Sequence, residues 1–391
     1  MLRATAAGSG LFGGHAWASK LLARLGRVVD PRESSRWATI VLAALVLVPP
    51  FVLAALSGAA WGRAVDIPFL HDVDALARLL IVVPLLVLTS RSIGAVLGAA
   101  IRYLEETSLV PDSENATYED ARRDLEGRVR SRPMMGVILI LAILVSWIVF
   151  RESLEVGLVT DRSNWIMARR DAGLTIAGWW YVLISRPVVS FLMLLWAWRY
   201  LCWCLFLLRL ASIDLRILPA HPDQTGGLLP VARAHIEFVL VGFAVNTALS
   251  GTIANEILYG SMTTAEARSL IASFTILSVL MLAVPLTVFV PGLLRAKRGG
   301  IIEYGHLGHD LTREFDARWR DRGNRLLDST DPSAMADFGS DYDVVRQLRS
   351  FPLGLHQLMA ITLLLALPFA PLGLTQISLT DLLEKLIGMA F

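Results

Sequence analysis

The stretch from Ile176 to Leu210 reads IAGWWYVLISRPVVSFLMLLWAWRYLCWCLFLLRL, and only Pro187 in it opposes a continuous helix. As a helix, these 35 residues would extend for about 52 Å, whereas the hydrocarbon core of a bilayer is about 30 Å thick. Part of the stretch therefore lies outside the membrane, or the helix bends at Pro187. In both cases the stretch is long and apolar enough to cross a membrane, which decides the fold class.

Composition extends this conclusion to the whole chain. Of the 391 residues, 55% are hydrophobic and 18% are charged, and the mean hydropathy is +0.57. Soluble proteins have about 25% charged residues, so this chain lacks the polar surface for several water-soluble domains. The net charge of +2 excludes a nucleic-acid binder that works through bulk charge. The two cysteines, Cys202 and Cys204, lie on one apolar helix and exclude a disulfide scaffold. The expected partner is the lipid bilayer.

Seven apolar stretches approach the length of about 20 residues that a helix needs to cross a bilayer. Residues 1–36 lack the apolar run of a cleavable signal peptide, so we expect the first stretch to remain as an anchor. The expected fold is an all-α, polytopic transmembrane helix bundle of about seven spans. The stretches are Thr39 to Ala60, Leu79 to Ile101, Met134 to Phe150, Pro187 to Leu208, Phe238 to Leu258, Ile271 to Leu294 and Leu353 to Leu374.

The distribution of Lys and Arg predicts the orientation. The N-terminal segment and the loops 102–133, 209–236 and 295–352 carry 25 of the 36 Lys and Arg residues, whereas the alternate connections carry 7. Because cytoplasmic loops are enriched in Lys and Arg, we expect the N-terminus in the cytoplasm and the C-terminus outside. Four arginines lie within or at the ends of spans: Arg78, Arg91, Arg186 and Arg199.

These spans divide the chain into four regions. The regions are a cytoplasmic segment at 1–36, a membrane bundle of six spans at 37–294 with a cytoplasmic loop at 102–133 and an interfacial turn at 209–236, a cytoplasmic helical loop at 295–352, and the last span with an external C-terminus at 353–391.

Within the loop 295–352, apolar side chains recur at every fourth residue and arginines surround them. The pattern predicts a basic amphipathic helix over 307–322 that lies on the inner leaflet or packs under the bundle. On the leaflet, anionic lipid headgroups are its candidate partners. The polar stretch 327–342 is predicted to be a linker. The apolar positions are Leu307, Leu311, Phe315 and Trp319.

Five prolines interrupt apolar stretches. In lipid a proline is tolerated where the carbonyl that it frees finds a partner helix, a hydroxyl or a water, so we expect the helices to pack in a bundle. Plain kinks are the favoured interpretation, and a broken helix that lines a site, as in transporters, is the alternative. The prolines are Pro49, Pro50, Pro84, Pro285 and Pro291.

The arginines inside spans are the first candidate ligand-binding residues. An arginine at mid-membrane costs at least about 2.5 kcal/mol, so we expect Arg91 to face the bundle interior. In the fourth apolar block, a span from Pro187 to Leu208 makes Arg199 the deep residue. A span from Ala177 to Trp198 makes Arg186 the deep one, and the aromatic belts favour this second window.

The group that pairs with these arginines would indicate the function. No Asp or Glu that could pair with them lies at the centre of any predicted span. Cations without central carboxylates fit an anion path, a phospholipid headgroup site or a water-filled vestibule. The alternative is that Arg91 snorkels to the interface beside Ser90 and Ser92, or bonds helix-end carbonyls.

The fifth span carries small and amide side chains at every fourth residue, with Asn246 as the ligand-binding candidate. Such a stripe lets helices approach closely and hydrogen-bond to each other, so helix packing is the favoured interpretation. A permeation or ligand face is the alternative. The stripe is Gly242, Asn246, Ser250 and Ala254.

Between the fourth and fifth spans lies the run DLRILPAHPDQTGGL, residues 214–228. Its prolines and glycines predict a turn, and Asp223 or Thr225 could cap the following helix. His221 with Asp223 could serve as a metal pair or an acid/base pair, and backbone N–H groups near Gly226 and Gly227 could hold an anion. A structural turn, an ion or lipid-headgroup site, and catalysis therefore remain open. The candidate residues here are Asp214, Arg216, His221, Asp223, Gly226 and Gly227.

This run resembles the D-L-R-x-x-P-x-H-P-D-x-x-G-G-L element of a family of multi-pass inner-membrane proteins from bacteria. The segments REFDARW at 313–319 and DYDVVRQLRSFPLGL at 341–355 also resemble that family. The resemblance covers roughly residues 173–391, and the first third is similar only around VVPLLVL at 82–88. It implies a bacterial inner-membrane topology, and it implies no chemistry.

Transport or permeation of a small anion or polar solute is the favoured function, because deep arginines occur without central carboxylates and prolines interrupt the spans. A structural or regulatory membrane subunit without a pore is one alternative. A membrane enzyme that acts on lipid headgroups, with His221 and Asp223 at the interface and Arg216 on a phosphate, is the other. No cofactor and no metal is expected, and a homo-oligomer is compatible with the sequence.

Overall fold

A computed structural model describes residues 31–160, 163–167, 173–321 and 331–374. Residues 1–30 of the predicted cytoplasmic segment 1–36 lie outside the described residues. The predicted external C-terminus lies outside them beyond residue 374. The side chains of Arg91 and Trp319 are outside the description as well, although their backbones belong to helices.

Ten helices form the described part of the protein, which is all-α as predicted. No β-strand occurs in the described ranges, where the β-type pairing is limited to isolated bridges such as Ile67 with Asn164. The helices are α1 Pro31–Leu56, α2 Val73–Glu106, α3 Asn115–Val129, α4 Arg132–Thr160, α5 Ile176–Ser212, α6 Leu229–Leu258, α7 Thr264–Ala283, α8 Val290–Asp321, α9 Asp331–Gln347 and α10 Leu355–Gly373.

Six of the described helical stretches are long and apolar enough to cross a membrane, and Ile40–Leu56 of α1 is a shorter apolar helix. The chain is therefore a multi-pass membrane protein. Helix α1 ends at Leu56 rather than at Ala60, because the chain turns at Ser57 and Gly58, where Gly58 has a φ of +72°. Helix α2 begins at Val73, six residues before the predicted start at Leu79, and this places Asp74 and Arg78 inside it.

The connections gather at two ends of the bundle. Arg216 N donates to Leu109 O (2.8 Å) and Arg349 N donates to Gln224 O (2.8 Å). These bonds join the connections α2–α3, α5–α6 and α9–α10 at one end, which we call the basic end because the predicted cytoplasmic loops meet there. At the opposite end, Ser163 N donates to Asp66 Oδ2 over 2.8 Å and joins the connections α1–α2 and α4–α5.

Three of the carbonyls that prolines free in the bundle find partners on other helices, as the sequence predicted. Pro49 and Pro50 leave the carbonyls four residues earlier without their helical N–H donors. Trp180 Nε1 donates to Leu45 O over 3.2 Å, and Ser185 Oγ donates to Val46 O over 2.7 Å. Because each freed acceptor is satisfied from α5, the interruption in α1 becomes a specific contact between two helices.

A carbonyl freed by a proline is also bonded by another helix where α7 ends. Pro285 lies in the 3-10 segment Val284–Phe289, and its missing N–H frees Met281 O. Tyr200 Oη of α5 donates to that carbonyl, and His235 Nε2 of α6 lies 2.8 Å from Leu282 O. The break between α7 and α8 is thus fixed by side chains of α5 and α6.

The predicted cytoplasmic loop 295–352 differs from its prediction after α8. The stretch 327–342 was expected to be a linker, and this is wrong in its described part, because Asp331–Gln347 is helical and pairs with α8. The Phe338 ring lies 6.4 Å from the Tyr304 ring and 6.4 Å from the Tyr342 ring. Polar residues alone suggested a linker, but Phe338 and Tyr342 are spaced at one helical turn and find their partner only in the folded hairpin.

The predicted amphipathic helix over 307–322 forms the outer half of α8, and its described part ends at Asp321. Tyr304 and Gly308 face Phe338 of α9, whereas Leu307 stays 55% exposed. Packing against α9 therefore uses the face beside the predicted stripe. Contact of this helix with anionic lipids stays a prediction.

Candidate functional site

The segment after α5 places two charged residues side by side. Residues 213–217 belong to no helix or strand, and two tight turns of the γ type follow each other there: Leu215 N donates to Ile213 O (2.9 Å) and Ile217 N donates to Leu215 O (2.9 Å). Ile213 is buried, whereas Asp214 and Arg216 are exposed and share one side.

A cavity of about 350 Å³ lies between this segment and the junction of α7 with α8. We call it the Asp214 cleft. Asp214, Arg216 and Arg295 are its charged lining residues. Its volume is at the lower end of the range of about 300–1,000 Å³ for small-molecule sites. The apolar part of its lining is Ala211, Ile213, Leu215, Ile217, Val288, Phe289, Pro291 and Ala296.

The three charged side chains of the cleft have no protein partner. Within the part of the chain that the structure describes, neither the Asp214 carboxylate nor the guanidinium groups of Arg216 and Arg295 make a hydrogen bond or an ion pair. Arg209 at the same end is paired, since its Nη1 lies 2.9 Å from Asp124 Oδ2. The cleft thus combines two unpaired cations, one unpaired anion and an apolar wall.

The neighbouring turn, residues 219–229, is organised around Asp223. Oδ1 accepts from Thr225 N over 2.8 Å, and Oδ2 accepts from Leu229 N, the first residue of α6, over 3.3 Å. Gly227 N donates to both oxygens over 3.2 Å. Asp223 therefore caps α6 as the sequence suggested, whereas the buried Thr225 hydroxyl has no partner in the described structure.

The two glycines are required by this geometry. Gly226 has a φ of +66° and Gly227 a φ of +94°, a conformation that L side chains rarely adopt. A Cβ on Gly226 would lie 2.1 Å from Ile217 Cγ2. The backbone N–H of Gly227, which could have held an external anion, is instead occupied by the Asp223 carboxylate.

Asp223 also fixes His221, whose Nδ1 lies 2.9 Å from Asp223 Oδ1. Burial raises the pKa of Asp223, but hydrogen bonds from the backbone of Thr225, Gly227 and Leu229 outweigh it and hold that pKa below its usual range. Neither His221 nor Asp223 is among the residues that line the Asp214 cleft. The structure therefore separates the candidate residues of this loop into a cleft and a structural turn.

Of the two alternative deep arginines, the structure buries Arg199. Its side chain is 6% exposed and its Cζ lies 5.0 Å from the centre of the Trp196 ring, in a cation–π contact. Arg186 is half-buried, with its Cζ 5.7 Å from the Tyr181 ring centre. Arg91 lies in α2, and its side chain is outside the described part.

Asn246 is fully buried between α6, α7 and α10. Its Nδ2 donates to Leu365 O over 2.8 Å, and its Oδ1 accepts from Ser278 Oγ over 3.0 Å. Ser250 Oγ donates to Pro368 O over 2.7 Å. The stripe therefore hydrogen-bonds at the Pro368 break of the last span, which agrees with the helix-packing interpretation.

A cluster at the opposite end was missed by sequence reasoning. Asp72 is buried, and its carboxylate accepts from Trp165 Nε1 over 2.8 Å, from Asn255 Nδ2 over 2.8 Å and from Ala75 N over 3.0 Å. We call Asp72, Trp165 and Asn255 the Asp72 cluster. Trp165 is fully buried between the Phe69 and Tyr181 rings, whose centres lie 4.7 and 5.1 Å away. The available signal was an Asp directly before a helical run, which is typical of an N-cap.

Two more residues were missed or misread. Arg78 forms an ion pair with Asp74, with Nε 2.8 Å from Oδ1, and donates from Nη2 to Thr252 Oγ1 over 2.9 Å. It therefore has a carboxylate partner one turn away. Arg295 was counted only among the basic residues that follow the sixth span, because nothing in the sequence shows that it meets Arg216.

Comparison of the chain with protein-family models, with curated proteins and with solved structures finds no match. The resemblance to a bacterial inner-membrane family stays a prediction, and the functional argument depends on the geometry of the site.

Proposed function

We propose that this multi-pass membrane protein binds an anionic amphiphile, a phosphate-bearing lipid headgroup with its tails, in the Asp214 cleft. The observation that carries the proposal is the pair of unpaired guanidinium groups, Arg216 and Arg295, against an apolar wall at the end of the bundle. Guanidinium groups match phosphate oxygens in geometry and charge. Apolar side chains such as Phe289 and Val288 suit the glycerol and the first methylenes of a lipid.

The position of the cleft supports a ligand from the membrane. It lies where α5 leaves the bundle and where α7 passes into α8, so its walls come from the ends of two candidate spans. We place this end at the cytoplasmic face of a bacterial inner membrane, because the predicted cytoplasmic loops with their excess of Lys and Arg meet there.

Binding, rather than catalysis, is the proposed activity. The pair of His221 and Asp223 lies outside the lining of the cleft, and Asp223 is already used by the backbone of its own turn. A lipid-acting enzyme would need a general acid or base within hydrogen-bond reach of the phosphate ester.

The test measures binding of short-chain lipids to the detergent-purified protein by titration calorimetry. Dihexanoyl phosphatidylglycerol should bind, and Arg216→Gln and Arg295→Gln should each weaken binding by about three- to tenfold, because each removes charge-assisted hydrogen bonds in a partly solvated site. The matched control is Arg298→Gln, which removes a charge from the same helix as Arg295 but outside the cleft; it should leave binding unchanged.

Two comparisons decide the ligand class. Glycerol 3-phosphate carries the anion without tails and should bind at least about tenfold more weakly, because it cannot cover the apolar wall. Equal binding of glycerol 3-phosphate would identify a site for free anions instead. Equal binding by Arg216→Gln, Arg295→Gln and Arg298→Gln would overturn the proposal and favour a structural or regulatory subunit.

Transport of a small anion or polar solute is the second candidate, and the observation in its favour is Arg199, a cation 6% exposed within the span α5. A mid-span arginine faces the bundle interior and often marks a solute path. Anion flux into liposomes that contain the purified protein tests this function. Flux by the wild type that falls in Arg199→Gln supports it, and the absence of flux for every anion tested contradicts it.

A further inference from the structure

Asp214 is the feature of the cleft that anion binding alone leaves unexplained. Its carboxylate lines the same cavity as the guanidinium groups of Arg216 and Arg295 and is exposed to it. It has no hydrogen-bond or ion-pair partner among the described residues. Asp214 and Arg216 lie two positions apart in the chain and both line the cleft, so their side chains can contact different groups of one small headgroup.

A carboxylate in an anion site lowers the affinity for some ligands and raises it for others. It repels a headgroup that offers only phosphate oxygens, because those oxygens and the carboxylate are all acceptors with negative charge. It accepts a hydrogen bond from a hydroxyl or an ammonium group. Discrimination between two ligands depends on the difference between their affinities, and repulsion of the wrong ligand contributes to it.

We propose that Asp214 makes the cleft selective for phosphodiester headgroups that also carry a hydrogen-bond donor, a hydroxyl or an ammonium group, beside the phosphate. The phosphate lies against Arg216 and Arg295, and the donor of the same headgroup binds the Asp214 carboxylate. This inference rests on the proposed function. It adds the chemical class of the headgroup and names Asp214 as the residue that recognises it.

The test compares two lipids of equal charge and equal tails. Dihexanoyl phosphatidylglycerol carries hydroxyl groups beyond its phosphate, whereas dihexanoyl phosphatidylmethanol carries a methyl group there. The wild type should bind the glycerol lipid about fivefold more tightly, the range of one exposed hydrogen bond to a charged group. Dihexanoyl phosphatidylethanolamine, whose ammonium group is the donor, should also bind more tightly than the methanol lipid.

Asp214→Ala should bring the ratio of the two affinities close to one, because the glycerol lipid loses its hydrogen bond to the carboxylate, whereas the repulsion of the phosphate is removed for both lipids alike. Asp214→Asn keeps an acceptor oxygen without the charge and should retain part of the preference for the hydroxyl-bearing lipid. The matched control, Glu303→Gln, removes one negative charge from α8 outside the cleft and should leave the ratio unchanged. Thermal unfolding of the purified variants checks that each one is folded.

The outcomes separate this inference from the proposed function. If the wild type binds both lipids equally while Arg216→Gln still weakens both, the role of Asp214 is wrong and the anionic cleft stands. An unchanged ratio in Asp214→Ala has the same meaning. If the arginine variants bind both lipids like the wild type, the cleft is not the site, and both proposals are overturned.

Discussion

The two ends of the bundle differ in whether their charged side chains have hydrogen-bond partners. In the Asp72 cluster, one carboxylate receives three hydrogen bonds, and Trp165 and Asn255 use their polar atoms on it or on the adjacent backbone. In the Asp214 cleft, one carboxylate and two guanidinium groups line a cavity without any partner in the described structure.

The difference teaches which polar groups belong to the architecture. A polar network whose members are all satisfied rigidifies a fold, since any loss leaves a buried group unpaired. Charged groups that converge on a cavity and stay unpaired contribute little to stability and remain available to a ligand. Removal of side chains should therefore affect stability at one end and binding at the other.

The largest effect on stability is expected for Asp72→Asn. The amide keeps one acceptor oxygen but presents an N–H₂ group to Trp165 Nε1 or to Asn255 Nδ2, both of which are donors. The free energy of unfolding should fall by about 1–3 kcal/mol, the cost of an unsatisfied buried group. Thermal unfolding in detergent, followed by tryptophan fluorescence, measures it.

The control for Asp72 is Glu256→Gln, which makes the same change of charge at an exposed position of the same end. Its unfolding temperature should stay at that of the wild type. Similar unfolding temperatures for the two variants would show that the Asp72 cluster does not hold the connections together.

A smaller loss, about 1–2 kcal/mol, is expected for Asp223→Asn, because one of its two acceptor oxygens is replaced by a donor that faces backbone N–H groups. The pKa of Asp223 is lowered in the folded protein. Its stabilisation is therefore fully present above the unfolded pKa of about 4 and is lost as the pH falls through the lower folded pKa.

The measurement compares unfolding of the wild type and Asp223→Asn at pH 7 and at pH 3. The difference between the two proteins should shrink at the lower pH, since protonation removes the same interaction from the wild type. Asp214→Asn provides the control in the same loop, with no change in unfolding at pH 7. A difference that grows on acidification would contradict the capping role of Asp223.

The smallest effect on stability is expected for Arg216→Gln combined with Arg295→Gln. Neither side chain has a partner among the residues that the structure describes, so the free energy of unfolding should stay within about 0.5 kcal/mol of the wild type. Arg122→Gln is the comparison, since Arg122 lies 2.9 Å from Glu119 and 2.8 Å from Glu126. If the double variant is less stable than Arg122→Gln, the cleft has an architectural role as well.

Much of the fold was predictable from local pattern. Apolar runs of the right length predicted the spans, and the prolines at 49, 50 and 285 predicted freed carbonyls that other helices satisfy. The turn was predicted from its prolines and glycines, with Asp223 or Thr225 as the cap of the following helix, and the structure gives this role to Asp223. Phe338 and Tyr342 were missed, since their stretch is otherwise polar and the partner ring, Tyr304, lies 34 residues before Phe338.

The sequence by itself determined that this protein lies in a lipid bilayer, that it is all-helical and that residues 219–229 form a turn before a helix. Each of these properties depends on neighbours along the chain. Only the tertiary structure decided that Arg295 joins Asp214 and Arg216, that Trp165 meets Asp72, and that Arg199 rather than Arg186 is buried. The physical reason is that partner choice depends on which helices pack together. In a bundle whose spans are all apolar, hydropathy does not distinguish one neighbour from another.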